Sequence, residues 1–313
     1  MTYPISELVA RVEAPPIAEA MSWVRQGPRN RDRINLCQAV PSYPPAEERQ
    51  AEFGRIAREP GTGGYTDIYG LATLRAAYAA HLGADYGAVV PADHVAITTG
   101  CNQAFAAAVM AVARAGDEVI IPVPYYFNHQ MWLTKLGIGM KTIPAFAENR
   151  SHPSVEDAAA AIGPRTKAIV LCTPNNPTGA IYPADVISGF FELAKSHGIA
   201  LILDETYKDF RPHAEPAHGL FQRADWQDTL IQLYSFSKVY ALAGYRLGAM
   251  TAGPGLLFES AKVLDCMTIC PPQITQHGVI YALRELNAWK RGKLEMMAGR
   301  LAAIREAFGS AGL

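Results

Sequence analysis

The sequence predicts an α/β protein: a three-layer domain whose mostly parallel, seven-stranded sheet is covered by helices on both faces. From about residue 94, short β-rich runs alternate with longer helical patterns, and each switch carries Gly, Pro or Asn. Runs such as residues 168–171 and 199–203 are apolar at every position, as strands buried on both faces are. The chain has 313 residues, 50% of them hydrophobic, which is enough for one large or two moderate domains with a buried core.

Taken in order, an amphipathic stretch at residues 17–26 precedes an irregular, proline-rich segment at 35–45, which reads as an arm or a second layer. A helix is expected at 71–82, with Leu71, Leu74, Ala77, Tyr78 and Leu82 on one face. The strands are placed at 94–98, 118–122, 139–143, 167–171, 199–204, 230–234 and 247–251. The helices between them fall at 102–115, 125–136, 154–162 and 183–197. Residues 273–308 read as one or two long helices rich in Arg, Lys and Glu.

Composition removes several function classes. Twenty-eight Lys and Arg against 29 Asp and Glu leave a net charge of −1 with no basic block, which excludes binding driven by nucleic-acid phosphates. The longest uncharged stretch, 95–113, is apolar only over 104–113, too short to cross a bilayer. The first residues lack the basic and apolar regions of a secretory signal, and five scattered cysteines read as reduced thiols, so a cytoplasmic protein is expected. Cys266 and Cys270 lack further ligands nearby, and no metal site is expected.

In such a sheet, ligands bind beyond the carboxyl ends of the strands. After the first strand, Gly100 permits a tight turn, and the amides of Cys101 and Asn102 open a helix able to seat an anion. After the second come Tyr125, Tyr126, Phe127 and His129, and after the fourth the turn-forming run Thr173 to Gly179 with two side-chain amides. Asp204 stands at the tip of an apolar strand, where a carboxylate is costly without a cationic partner such as a protonated heterocycle; Tyr207 follows three residues on. After the sixth strand, Ser235, Ser237 and Lys238 are followed by Gly244, Arg246 and Gly248; a lysine so flanked is either a solvated charge or a nucleophile with a lowered pKa.

The set Asn175-Asn176-Pro177-Thr178-Gly179, Asp204-Glu205-x-Tyr207, Ser235-x-Ser237-Lys238 and Gly244-x-Arg246-x-Gly248, in this order, closely resembles the class I/II aminotransferases. These are pyridoxal-phosphate enzymes of fold type I, with an aspartate-aminotransferase-like large domain. The resemblance runs from about Asn35 to Met250. It implies that Lys238 forms the Schiff base with pyridoxal 5′-phosphate and then serves as the acid–base group. It also implies that Asp204 pairs with the ring nitrogen, and that Asn176 and Tyr207 hydrogen-bond the cofactor's 3-oxygen. Tyr126 would stack on the ring. The phosphate would sit on Gly100, Cys101, Asn102, Ser235, Ser237 and Arg246, joined by Tyr65 of a partner subunit, so a homodimer with a shared site is expected. The Asn176–Pro177 bond is expected to be cis, as is common in the family.

The implied activity is amino-group transfer between an L-amino acid and a 2-oxo acid by ping-pong kinetics. The alternatives are a β-eliminating carbon–sulfur lyase on the same fold, or an inactive fragment. Ala39 stands where the family usually has a glycine whose amide meets the substrate carboxylate; with Asn176 it is the expected substrate contact. By the same resemblance, residues 1–45 form an N-terminal arm and small-domain segment, 46–274 the cofactor-binding large domain, and 275–313 the interdomain helix and truncated start of the small domain. The family's carboxylate-clamping arginine lies beyond that helix, and the helix is expected to leave apolar surface uncovered.

Overall fold

A computed structural model describes residues 3–27, 38–146, 151–212 and 215–311; Asn35, Leu36 and Cys37 lie outside them. Along the chain run α1 (Glu7–Ala10), α2 (Pro16–Gln26), α3 (Glu47–Ile56), α4 (Ala72–Tyr86), β1 (Val95–Thr98), α5 (Cys101–Val112), β2 (Glu118–Val123), α6 (Phe127–Leu136) and β3 (Gly139–Pro144). They are followed by α7 (Val155–Ala161), β4 (Thr166–Cys172), α8 (Ala184–Ser196), β5 (Ala200–Asp204), β6 (Leu230–Ser235), β7 (Gly248–Thr251), α9 (Pro254–Thr268), α10 (Gln273–Glu285) and α11 (Asn287–Ser310).

The seven strands form one sheet in the order β1-β7-β6-β5-β4-β2-β3. All neighbours are parallel except β7, which runs antiparallel to both β1 and β6. That exception has a simple cause. The connection from β6 to β7, residues 236–247, contains only a short 3-10 turn at Ala243–Tyr245, and without a helical crossover the chain returns antiparallel beside the strand it left.

Alternation along the strands divides the core in two. Ile97, Ile169, Leu171, Leu201, Leu203 and Tyr234 face one side, with Leu74, Tyr78 and Leu82 of α4 and Phe190 of α8. Ala96, Val119, Val170, Ile202 and Leu233 face the other, with Phe105 of α5, Leu133 of α6 and Leu257 of α9. This is the three-layer arrangement that the apolar runs predict.

Three helices, α1, α3 and α9, carry no prediction. In α3 the only apolar buried residues are Phe53 and Ile56, and the third buried side chain is Arg49, so its apolar stripe is too thin to read. The long C-terminal pattern resolves into two helices parted at Leu286, a buried residue that ends α10 and precedes α11. Helix α11 has no buried residue, and Leu301, Ile304 and Phe308 are exposed on it, as the sequence predicts for that end. Near the other end, α1 packs on α6.

Candidate active site

The strand register sets the site. Gly248, the first residue of β7, pairs with both Thr98 and Ser235, the last residues of β1 and β6, while Cys172 at the end of β4 pairs with Asp204 at the end of β5. The polar residues that follow the strands are thereby gathered along one edge of the sheet.

At the β1 end, Gly100 adopts φ 82° and opens α5. The Arg246 guanidinium lies so close that a Cβ at position 100 would overlap it, and a Cβ at Gly248 would come within 2.7 Å of the Cys101 amide. Glycine is thus required twice for one feature: a helix N-terminus with an arginine laid beside it. The leading amides of a helix have no intrahelical acceptors, and with the positive end of the dipole they suit a doubly charged phosphate. Ser235 and Ser237, both buried, lie beyond β6, where the Ser235 hydroxyl accepts from the Ser237 amide at 3.2 Å.

Asp204 is buried. Its Oδ2 lies 3.2 Å from His129 Nε2, and its Oδ1 accepts from the Thr206 amide at 3.0 Å. Burial alone would raise its pKa; the His129 contact and the Thr206 hydrogen bonds outweigh it, and the carboxyl is held below its usual range. His129 is itself buried, stacked on Phe105 with ring centroids 4.1 Å apart and meeting Tyr126 edge-on at 5.3 Å. The sequence shows His129 in a run of aromatics on the right rim without marking it as Asp204's partner, because the two meet only when α6 folds over β5.

Lys238 is partly buried. Its Nζ donates to the Ala39 carbonyl at 2.8 Å and lies 5.3 Å from the Tyr207 ring centre. Burial lowers its pKa, opposed by Asp204 and aided by Arg246, and the net direction is down. Asn176 Nδ2 lies 3.5 Å from the Tyr207 hydroxyl, so the two side chains meet at the rim. Asn175 is the staple of its turn: its Oδ1 accepts from the Thr178 amide and hydroxyl at 3.1 and 2.9 Å. The Asn176–Pro177 bond is cis, as are Val123–Pro124 and Thr173–Pro174. Tyr126 is pushed up to about 12 by burial and by Asp204, and Asn128 donates to its hydroxyl at 2.9 Å. Burial and Asp204 push the Cys101 thiol up, which keeps it protonated.

Beneath the site lies a buried ionic layer that sequence reading missed. Glu205 accepts from Tyr86 at 2.6 Å and from Gln232 at 3.2 Å, with His218 at 3.5 Å. Lys208 pairs with Asp85, while Asp209 receives Tyr234 at 2.6 Å and Lys290 of α11 at 3.1 Å. These pairs flank Tyr207 in sequence and hold its turn. No local signal announces them, since their partners lie 13 to 123 residues away.

Two expected site residues stand apart from this group. Tyr65 is 79% exposed in the loop before α4. Ala39 reaches the site through its carbonyl, which accepts from Lys238.

The donor set fits pyridoxal 5′-phosphate. A lysine that burial inclines toward the free amine faces a carboxylate held ionised, two hydroxyl and amide donors converge beside it, and a glycine-lined helix start with an arginine ends the row. Such a sheet, with a polar site along its carboxyl edge, is that of an enzyme of the α/β class. The family model "Aminotransferase class I and II" matches residues 31–311, and the chain belongs to that family. It is 28% identical over 272 residues to an aspartate aminotransferase of Thermotoga maritima, a match covering 87% of this chain and 71% of the relative. It is 31% identical over 304 residues to a valine–pyruvate aminotransferase of Mycobacterium tuberculosis, covering 92% and 74%. Among solved structures, the aspartate aminotransferase of Thermus thermophilus with maleate superposes with a TM-score of 0.91 at 25% identity, covering all of this chain and 82% of the other.

Proposed function

We propose that this chain catalyses pyridoxal 5′-phosphate-dependent transfer of an amino group between an L-amino acid and a 2-oxo acid by a ping-pong mechanism. The observation that carries the reading is Lys238, partly buried at the carboxyl edge of the sheet with its Nζ 5.3 Å from the Tyr207 ring centre, where burial lowers its pKa against the opposing pull of Asp204. When bound, pyridoxal 5′-phosphate supplies an aldehyde carbon and an electron-withdrawing ring. The side chains do the rest. Lys238 would hold the group covalently and would be the residue placed to carry a proton between the substrate Cα and the cofactor C4′. Asp204, kept anionic by His129, holds a proton on the ring nitrogen, and Tyr126 covers the ring face. Asn176 and Tyr207 donate to the 3-oxygen. Gly100, Cys101, Asn102, Ser235, Ser237 and Arg246 bind the phosphate, with Arg246 supplying a permanent charge. Ala39 and Asn176 contact the substrate carboxylate.

The exposure of Tyr65 supports its role at the phosphate of a second subunit and hence a homodimer with shared sites; the scattered cysteines support a cytoplasmic protein. Residues 46–274 form the cofactor-binding domain, with residues 1–45 as arm and 275–313 as the link toward a small domain. No described helix is long and apolar enough to cross a membrane.

The test is an assay of the purified protein with pyridoxal 5′-phosphate, a panel of amino donors, and 2-oxoglutarate or pyruvate, with products read by mass spectrometry. Acceptor-dependent amino transfer is expected. Release of pyruvate and ammonia from cystathionine without an acceptor would assign β-elimination instead, and a yellow but inert protein would mark an inactive fragment.

A further inference from the structure

The connection that carries Lys238 is held in an unusual way. Two of its non-glycine residues, Ala241 and Arg246, lie in the left-handed region at φ 53°. Backbone of that kind persists only where its surroundings hold it. Within the connection, the Ala241 amide donates to the Lys238 carbonyl at 3.1 Å and the Leu242 amide to the Ser237 carbonyl at 3.1 Å. The carbonyls of Val239 and Tyr240 are reached by side chains from far earlier in the chain. The Tyr43 hydroxyl lies 3.1 Å from the Val239 carbonyl and 3.5 Å from that of Lys238, and Arg49 Nη2 donates to the Tyr240 carbonyl at 2.8 Å.

Arg49 is wholly buried, its Nε and Nη1 have no partner among the described residues, and the ionisable groups there that act on it are the phenols of Tyr245 and Tyr240 rather than a carboxylate. A buried guanidinium of this kind is costly, and an apolar residue would pack more easily beside Phe53, over whose ring it lies at 5.9 Å. Its one satisfied hydrogen bond, to the lysine's own loop, accounts for its presence. At the other end of the lysine, Nζ donates to Ala39 of the same segment. Residues 39–49 therefore grip Lys238 at its amine and at its main chain. Helix α11 bears on that segment through Trp289, edge-on to Tyr43 at 5.7 Å, and through Arg300, which donates to Ser42 at 2.6 Å.

We propose that Tyr43 and Arg49 are positioning residues for Lys238, fixing the main chain at residues 238–240 and so the point from which the amine reaches its target. The proposal rests on the reading of Lys238 as the cofactor's lysine. The groups facing that amine are Asp204 after β5, Tyr207, Cys101 at the start of α5, and Arg246. An amine displaced from among them toward water recovers the behaviour of an ordinary lysine.

The experiment compares Tyr43→Phe, Arg49→Met and Arg49→Lys with the parent chain, each checked by thermal unfolding. Without cofactor, the pH dependence of Lys238 acetylation by acetic anhydride is read by peptide mass. With pyridoxal 5′-phosphate, kcat and KM are measured separately. Tyr43→Phe and Arg49→Met are expected to move the acetylation midpoint upward by roughly half a pH unit or more. They lower kcat about tenfold while KM changes little, and Arg49→Lys recovers most of both. Tyr43→Phe removes a single oxygen, so it carries the test if Arg49→Met does not fold. Variants that unfold like the parent and keep its midpoint and kcat overturn the proposal. A parent protein that stays colourless with cofactor defeats the cofactor reading, while the acetylation midpoints still decide this one.

Discussion

A carboxylate and an amine are brought to one small volume here, and their surroundings push both pKa values down. For Lys238 burial is the leading influence, and it lowers the pKa despite the opposing pull of Asp204. For Asp204 burial opposes ionisation and His129 with Thr206 overcomes it. Removing His129 therefore has a definite sign. His129→Phe leaves burial dominant, raises the Asp204 pKa, and shifts the acid limb of the kcat/KM profile to higher pH. An unmoved limb would show that His129 does not hold the carboxylate ionised. Lys238→Ala is expected to abolish the visible absorbance of the protein with pyridoxal 5′-phosphate, read in a spectrophotometer after gel filtration. Gly100→Ala places a methyl against Arg246 at a left-handed position and should weaken cofactor binding by about tenfold or more, measured by titration of the cofactor-free protein.

At the scale of elements, all seven strands were legible, because most are short apolar runs and all are bounded by turn residues. The antiparallel setting of β7 was not, since direction follows from the absence of a crossover helix rather than from the strand itself. Helix α3 was hidden for a related reason: what it buries is an arginine and a phenylalanine ring that fits only because α10 presents Gly278 to it. A Cβ at position 278 would lie inside the Phe53 ring, which is stacked on Tyr245 at 4.4 Å. Gly278→Ala should thus cost about 1–3 kcal/mol by overpacking, seen as a lower urea midpoint. Phe53→Leu in the same chain should recover part of the loss. Full additivity of the two changes would show that the contact is not shared.

For the whole molecule, stability depends on buried carboxylates. Asp204, Glu205 and Asp209 are all held below their ordinary values, in each case against burial, by His129, by His218 and Tyr86, and by Lys208 and Lys290 respectively. A depressed folded-state pKa contributes stability that is fully present above the unfolded value near 4 and lost as pH falls below it. The melting temperature should therefore fall steeply below about pH 4 and stay level from there toward neutrality. Asp209→Asn should lower stability at pH 7 and flatten that acid slope; an unchanged slope would show that Asp209 is not a major contributor. By itself the sequence determined the family, the layered sheet and which side chains end the strands, because alternation, turn residues and motif spacing are local and survive in one dimension. Only the tertiary structure decided that His129 supports Asp204, that residues 39–49 grip the loop of Lys238, and that an ionic layer lies under Tyr207. Those are pairings between residues distant in the chain, and a buried charge has no identity as a partner until folding brings its counterpart within a few ångströms.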